Sequence, residues 1–109
     1  MAIYELRTYN AGPRPDKRRE LVDMMGKLMP VFAKAGIKVV GLWTTLIGQS
    51  GDFNYLLEYE SLADREVKWT KFVQDPDLHR IIAEAGDGDY PSVTERNAIL
   101  QPTPYSPLK

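Results

Sequence analysis

Hydrophobic and polar residues recur along the chain with two periods, and the switches between them mark out its elements. From Ile3 to Tyr9 the period is two: Tyr4, Leu6 and Thr8 share one side of a strand, and Glu5, Arg7 and Tyr9 share the other. The prolines of Asn10-Ala11-Gly12-Pro13-Arg14-Pro15 end the pairing and predict a turn. The period then lengthens. Leu21, Met25, Leu28, Phe32 and Ala35 recur at steps of four and three, predicting a helix from Asp16, its expected N-cap, to about Ala35. Pro30 removes an amide and crowds the Gly26 carbonyl, predicting a kink, and Gly36 is placed to end the helix.

Period two returns from Ile37 to about Gly48, with Ile37, Val39, Trp43, Thr45 and Ile47 expected on one side and Val40, Leu42, Thr44 and Leu46 on the other. Gln49-Ser50-Gly51-Asp52 reads as a hairpin loop, and Phe53–Glu60 as a third strand. Ser61-Leu62-Ala63-Asp64 has capping-box form and opens a helix carrying Leu62, Trp69, Phe72 and Val73. Asp75-Pro76 starts a short helix with the stripe Leu78, Ile81, Ile82 and Ala85. Gly86-Asp87-Gly88-Asp89 is a loop, and Ser92 to Leu100 a last strand before a proline-rich arm over 100–109.

The order strand, helix, strand, strand, helix, strand predicts one α+β domain over residues 1–109. Its form is ferredoxin-like βαββαβ, with a four-stranded antiparallel sheet whose first and third strands are central. Helices cover one sheet face. A bare second face, expected to carry Phe53, Leu57 or Val39, would be an apolar patch, so the expectation is a homodimer whose two sheets close into an α/β barrel. The arm, with Tyr105 and Leu108, is expected over its own sheet edge, around the partner subunit, or frayed. On a central strand the side chains of Glu5 and Arg7 cannot hang in water at an edge. They must line a polar cavity, pair at an interface or do chemistry.

Composition narrows the partners. A formal net charge of −1 leaves no basic footprint for nucleic acid, and Lys17-Arg18-Arg19 is followed at once by Glu20 and Asp23, as on a solvated helix face. There is no cysteine, so thiol nucleophiles, disulfides and thiolate metal sites are excluded. No apolar run is long enough for a membrane span, and the chain enters a strand without the basic and apolar regions of a signal peptide. The expected setting is the cytoplasm. No phosphate loop, nucleophile elbow or dinucleotide fingerprint is present, so no cofactor is expected.

The strand Ile3-Tyr4-Glu5-Leu6-Arg7-Thr8-Tyr9 with its glycine–proline turn resembles the opening of the NIPSNAP family. Gly36–Trp43 resembles that family's second strand, and Tyr55-Leu56-Leu57-Glu58-Tyr59 its third. Ser61–Glu66 with Trp69, Phe72 and Asp75-Pro76 resembles its second helix, and Asn97–Pro107 its closing strand and tail. The resemblance covers nearly the whole chain and contains no catalytic signature. It implies the fold of the dimeric α/β barrels, a group that includes cofactor-free oxygenases, muconolactone isomerases and haem-degrading enzymes. It implies no defined biochemical activity.

Two constellations carry candidate chemistry. In the first, Arg7 and Tyr9 orient a carboxylate or enolate, and Glu5 or Glu58 is a candidate base if burial raises its pKa. The plainer alternative is a polar network holding the strands or the dimer together. In the second, Trp43, Tyr55, Tyr59 and Trp69 wall a pocket for a flat organic ligand; the alternative is ordinary core. Ligand binding thus rests on Arg7, Tyr9, Trp43, Tyr55 and Trp69. His79, the one histidine, is expected to face solvent, opposite the Leu78, Ile81 and Ile82 stripe. One imidazole cannot assemble a zinc site, and Asp87-Gly88-Asp89 lacks the spacing of a calcium loop, so no metal is expected. Three function classes stay open: a small-molecule binder, a cofactor-independent oxygenase or isomerase acting on an aromatic or enolisable compound, and an interaction module without a ligand.

Overall fold

The computed structural model describes residues 2–88 and 90–109, and residues 87 and 88 by their backbone alone. Strand β1 (Ile3–Asn10) leads into helix α1 (Pro15–Lys34). The hairpin β2 (Lys38–Thr44) and β3 (Asp52–Tyr59) follows, then helices α2 (Leu62–Val73) and α3 (Pro76–Glu84), and strand β4 (Thr94–Leu100). A 3₁₀ turn over Ala85–Gly88 occupies most of the expected 86–89 loop, whose Asp89 lies outside the described residues. The sheet order is β2-β3-β1-β4 with every neighbour antiparallel, so β1 and β3 are central.

The helix ends follow from local chemistry. Helix α1 begins one residue before its expected cap: Pro15 takes the first helical position, where its missing N–H costs nothing, and Asp16 lies in the first turn. The helix continues through Pro30 to Lys34. Gly36, at φ +79°, then closes it, with the Gly36 amide donating to Ala33 and the Ile37 amide to Phe32, each at 3.0 Å. The Ser61 hydroxyl caps α2 by accepting from the Asp64 amide at 3.0 Å, and Asp75 caps α3 by accepting from Asp77 at 2.9 Å.

One sheet face packs on the helices. Tyr9, Phe53, Tyr55, Leu57 and Tyr59 join Leu21, Met25, Leu28 and Phe32 of α1 and Phe72 of α2 in a single core. The expectation that Phe53, Leu57 or Val39 would lie on the bare face is corrected: Phe53 and Leu57 are buried, and Val39 packs against the core. Phe53 and Leu57 share with Tyr55 and Tyr59 the side of β3 that faces the helices, and on β2 a bulge at Val40 lies between the pairs Val39–Leu57 and Gly41–Leu56. It brings Val39 and Leu42 to the helix side and sends Trp43 to the other, breaking the expected grouping of Val39 with Trp43. Strand β2 also ends at Thr44, so Leu46 and Ile47 sit in the β2–β3 connection, 96% and 93% exposed.

The second face carries Leu6, Leu56, Trp43, Ala98 and Leu100, with Thr8 and Asn54 hydrogen-bonded to each other at 2.9 Å. The C-terminal arm folds back over one end of it, where Leu108 and Ser106 share a cleft with Tyr4 and Leu56. Tyr4 is therefore buried, while Trp43 is half-exposed and β4 is exposed along its length.

Candidate functional site

Strand alternation brings Glu5, Arg7 and Tyr9 to the helix face of β1, opposite Leu57, Tyr55 and Phe53 of β3. Glu5 is wholly buried, which is tolerable only because its carboxylate is saturated. Arg7 Nη1 donates to Oε2 at 3.0 Å, Arg65 Nε to Oε1 and Nη2 to Oε2 at 2.9 Å, and Asn97 Nδ2 to Oε2 at 2.8 Å. Arg65 comes from the first turns of α2 and Asn97 from β4, so this one carboxylate joins both central and edge elements. Burial pushes the Glu5 carboxyl up. The bonds from Arg65 and Asn97 and the charges of Arg7 and Arg65 outweigh it, and its pKa lies below the ordinary value.

The shift runs opposite to the rise that a base would draw from burial, and the group anchors two guanidiniums. Glu58 pairs with Tyr4 across the ladder and so points to the opposite sheet face, where Lys38 Nζ lies 3.5 Å away. Trp43 is on that same opposite face. Neither residue meets Arg7.

Arg7 is held from several directions. Its Nε donates to Tyr55 Oη at 2.8 Å and its Nη2 to Tyr9 Oη at 3.2 Å, while its guanidinium lies 4.5 Å from the Trp69 ring centre. Burial works against the charge of Arg7, and Tyr55, Tyr9 and Glu5 overcome it, so Arg7 stays a cation. Tyr55 and Tyr9 touch oxygen to oxygen at 2.7 Å. Burial, then Tyr9, raises the Tyr55 hydroxyl well above its usual range, so it stays a phenol.

These residues line one cavity of about 180 Å³ between the sheet and α1, α2 and α3. Arg7, Tyr9, Tyr55 and Trp69 are all at its wall, with Met24, Leu28, Phe72, Leu78 and Ile82 making the apolar part. Four of the five residues expected to bind a ligand are thus together; Trp43 is the exception. Tyr59 is core beside this cavity, and its buried hydroxyl has no hydrogen-bond partner among the described residues. Tyr90 and Glu95 complete the lining, the Tyr90 hydroxyl donating to Glu95 Oε1 at 3.0 Å. Sequence reasoning missed Arg65, Asn97, Tyr90 and Glu95. Only Glu95 and Asn97 carried a usable signal, since both fall on the helix face of β4 once the register with Tyr9 and Arg7 is known.

His79 is exposed on α3, as expected, its ring 2.8 Å from the Val73 carbonyl oxygen. Among the described residues no three histidine or acidic side chains gather to hold a metal. No helix among them is long and apolar enough to cross a membrane.

Solved structures share this architecture. A NIPSNAP family protein from Agrobacterium tumefaciens superposes with TM-score 0.86 at 25% identity, covering 100% of each chain. An uncharacterized NIPSNAP-like domain protein from Burkholderia xenovorans gives 0.82 at 24% identity, covering 97% of this chain and 89% of its own. A second Agrobacterium tumefaciens NIPSNAP family protein, of unknown function, gives 0.84 at 20%, covering 99% and 94%. No curated protein sequence matches. The NIPSNAP family model matches residues 4–107, almost the entire chain, and with the fold in agreement the protein belongs to the NIPSNAP family.

Proposed function

We propose that the protein binds a small organic anion, a carboxylate or enolate on a single ring, in the cavity between sheet and helices. The observation that carries this is charge. One buried carboxylate, Glu5, faces two guanidiniums, so that cluster keeps a unit of positive charge where Arg7 lines the cavity, and no ion pair joins it to Glu95, the carboxylate of the same lining. A buried charge of that kind is costly until an opposite charge meets it. The donors to receive it exist. Tyr9 and Tyr55 share one oxygen–oxygen contact, which uses one of their two hydroxyl hydrogens and leaves the other for a ligand. Arg7 likewise keeps N–H groups beyond those given to Glu5, Tyr9 and Tyr55. Size limits the ring: about 150 Å³ suffices for benzene, and the cavity offers about 180 Å³.

Isothermal titration with benzoate tests the reading. Binding is expected in the wild type and at least about tenfold weaker in Arg7→Met, the loss of a charge-assisted contact. Heat signals unchanged by Arg7→Met, or no binding by the wild type, would contradict it. Enzymatic turnover on an enolisable compound has less support, because the two expected bases are, respectively, saturated and on the other sheet face.

The uncovered face supports self-association. Leu6, Leu56, Ala98 and half-exposed Trp43 form the patch that a second sheet would cover. Light scattering should give twice the 12.4 kDa chain mass at micromolar concentration. A stable monomer refutes the dimer without touching the ligand reading.

A further inference from the structure

The cavity has a second pole, and we infer that Glu95 selects ligands that carry a hydrogen-bond donor as well as an oxyanion: hydroxylated or amino-substituted ring acids in place of plain ones. This rests on the anion-binding reading and deepens it. Of the residues lining the cavity, Arg7 and Glu95 are the two that carry full charge, and no ion pair joins them: Arg7 pairs with Glu5. The Arg7–Asn97 pair is two residue pairs along the ladder from Tyr9–Glu95, the next position on the same sheet face, which sets the carboxylate on the side of Tyr9 and Arg7.

The surroundings keep this carboxylate available. Glu5 is saturated by four donated bonds, whereas Glu95 receives one, from the Tyr90 hydroxyl at 3.0 Å. A carboxylate presents about four acceptor positions, so Glu95 has capacity for a ligand donor while Tyr90 fixes its rotamer. Tyr90 also lines the cavity, so the pair forms one wall. A ligand satisfying both poles has its acid group at Arg7 and the Tyr9–Tyr55 hydroxyls and its donor group at Glu95. Met24, Leu28, Phe72 and Leu78 make the apolar part of the lining and offer nothing to a polar substituent placed elsewhere. A site that hydrogen-bonds a substituent rejects the analogue lacking it, because a carboxylate dehydrated without a partner is costly.

The test compares benzoate, 3- and 4-hydroxybenzoate, and the matching 3- and 4-fluorobenzoates, which resemble the hydroxy acids in size but cannot donate. Affinities are measured on wild type, Glu95→Ala and Tyr90→Phe. One hydroxybenzoate is expected to bind the wild type about tenfold or more tighter than benzoate and its fluoro counterpart, the worth of one hydrogen bond to a charged group. Glu95→Ala should erase that ratio and tighten benzoate itself, because a negative charge leaves the wall of an anion site. Glu95 lies on an exposed edge strand, so its removal leaves the fold intact. Tyr90→Phe should shrink the ratio without erasing it. If benzoate binds in an Arg7-dependent way but neither hydroxyl helps, or the preference survives Glu95→Ala, the inference about Glu95 is overturned and the anion site stands. If no acid binds, both are overturned.

Discussion

Replacing Glu5 with glutamine is the sharpest perturbation the structure offers, because shape is kept and only the charge is lost. In the wild type the carboxylate takes four bonds from Arg7, Arg65 and Asn97 while excluded from solvent. Each bond to a charged group is worth about 1.5–3 kcal/mol in isolation, but the bonds share one acceptor and are not additive. The better guide is the loss of one partner from a buried ion pair, about 3–5 kcal/mol. The guanidinium side chains are 13% and 25% exposed, so water relieves part of the repulsion and the low end applies: about 3 kcal/mol. For a domain of 109 residues that is roughly 12–18 °C in melting temperature. Arg7→Met should cost much less, about 1–1.5 kcal/mol, because Glu5 keeps Arg65 and Asn97 and the cluster becomes neutral. Urea unfolding followed by circular dichroism measures both, and the double variant should be less destabilised than the sum of its parts. If Glu5→Gln lies within 1 kcal/mol of wild type, or Arg7→Met is the more damaging change, the charge argument for the site is refuted.

Acid should expose the same carboxylate. Its folded pKa is depressed, so its contribution is complete above the unfolded value of about 4.3 and lost as pH falls through the lower folded value. Stability curves measured between neutral pH and pH 3 should therefore fall less steeply in Glu5→Gln than in wild type; parallel curves would count against the depression. Tyr59→Phe removes a buried hydroxyl that has no partner among the described residues, so stability by urea denaturation should hold or rise by up to about 1 kcal/mol. A clear loss would reveal a bond that this geometry lacks. Alanine at Gly36 should cost about 1 kcal/mol for its φ of +79°, since the nearest obstacle is the flexible end of Lys68 at 3.5 Å. Alanine at Gly51 should cost more than about 2 kcal/mol, because at φ +86° its Cβ would also fall 2.7 Å from the Gly12 carbonyl oxygen, part of the backbone. Equal melting temperatures for the two variants would reject that ordering.

What the chain spells out by itself is whatever short-range geometry controls. The change of period from two to 3.6 identifies every strand and α-helix, Gly36 and Asp75-Pro76 mark helix boundaries, and the element order implies β1 and β3 at the centre. Alternation alone puts Glu5, Arg7 and Tyr9 on one side; Arg7 and Tyr9 line the cavity, and Glu5 holds Arg7 from behind. Tertiary structure decided the rest. A one-residue bulge at Val40 moved Trp43 away from the cavity, since adding one residue inverts every later side chain of a strand. Arg65 reaches Glu5 across 60 residues of sequence and Asn97 across 92, and no local pattern encodes which helix turn or which edge-strand residue docks there. Those distant partners turned a plausible base into a saturated anchor and left Glu95, an inconspicuous edge residue, as the carboxylate that faces the cavity. Backbone periodicity is settled among neighbours a few residues apart; the chemistry of a side chain is settled by whatever strand register and helix docking place against it.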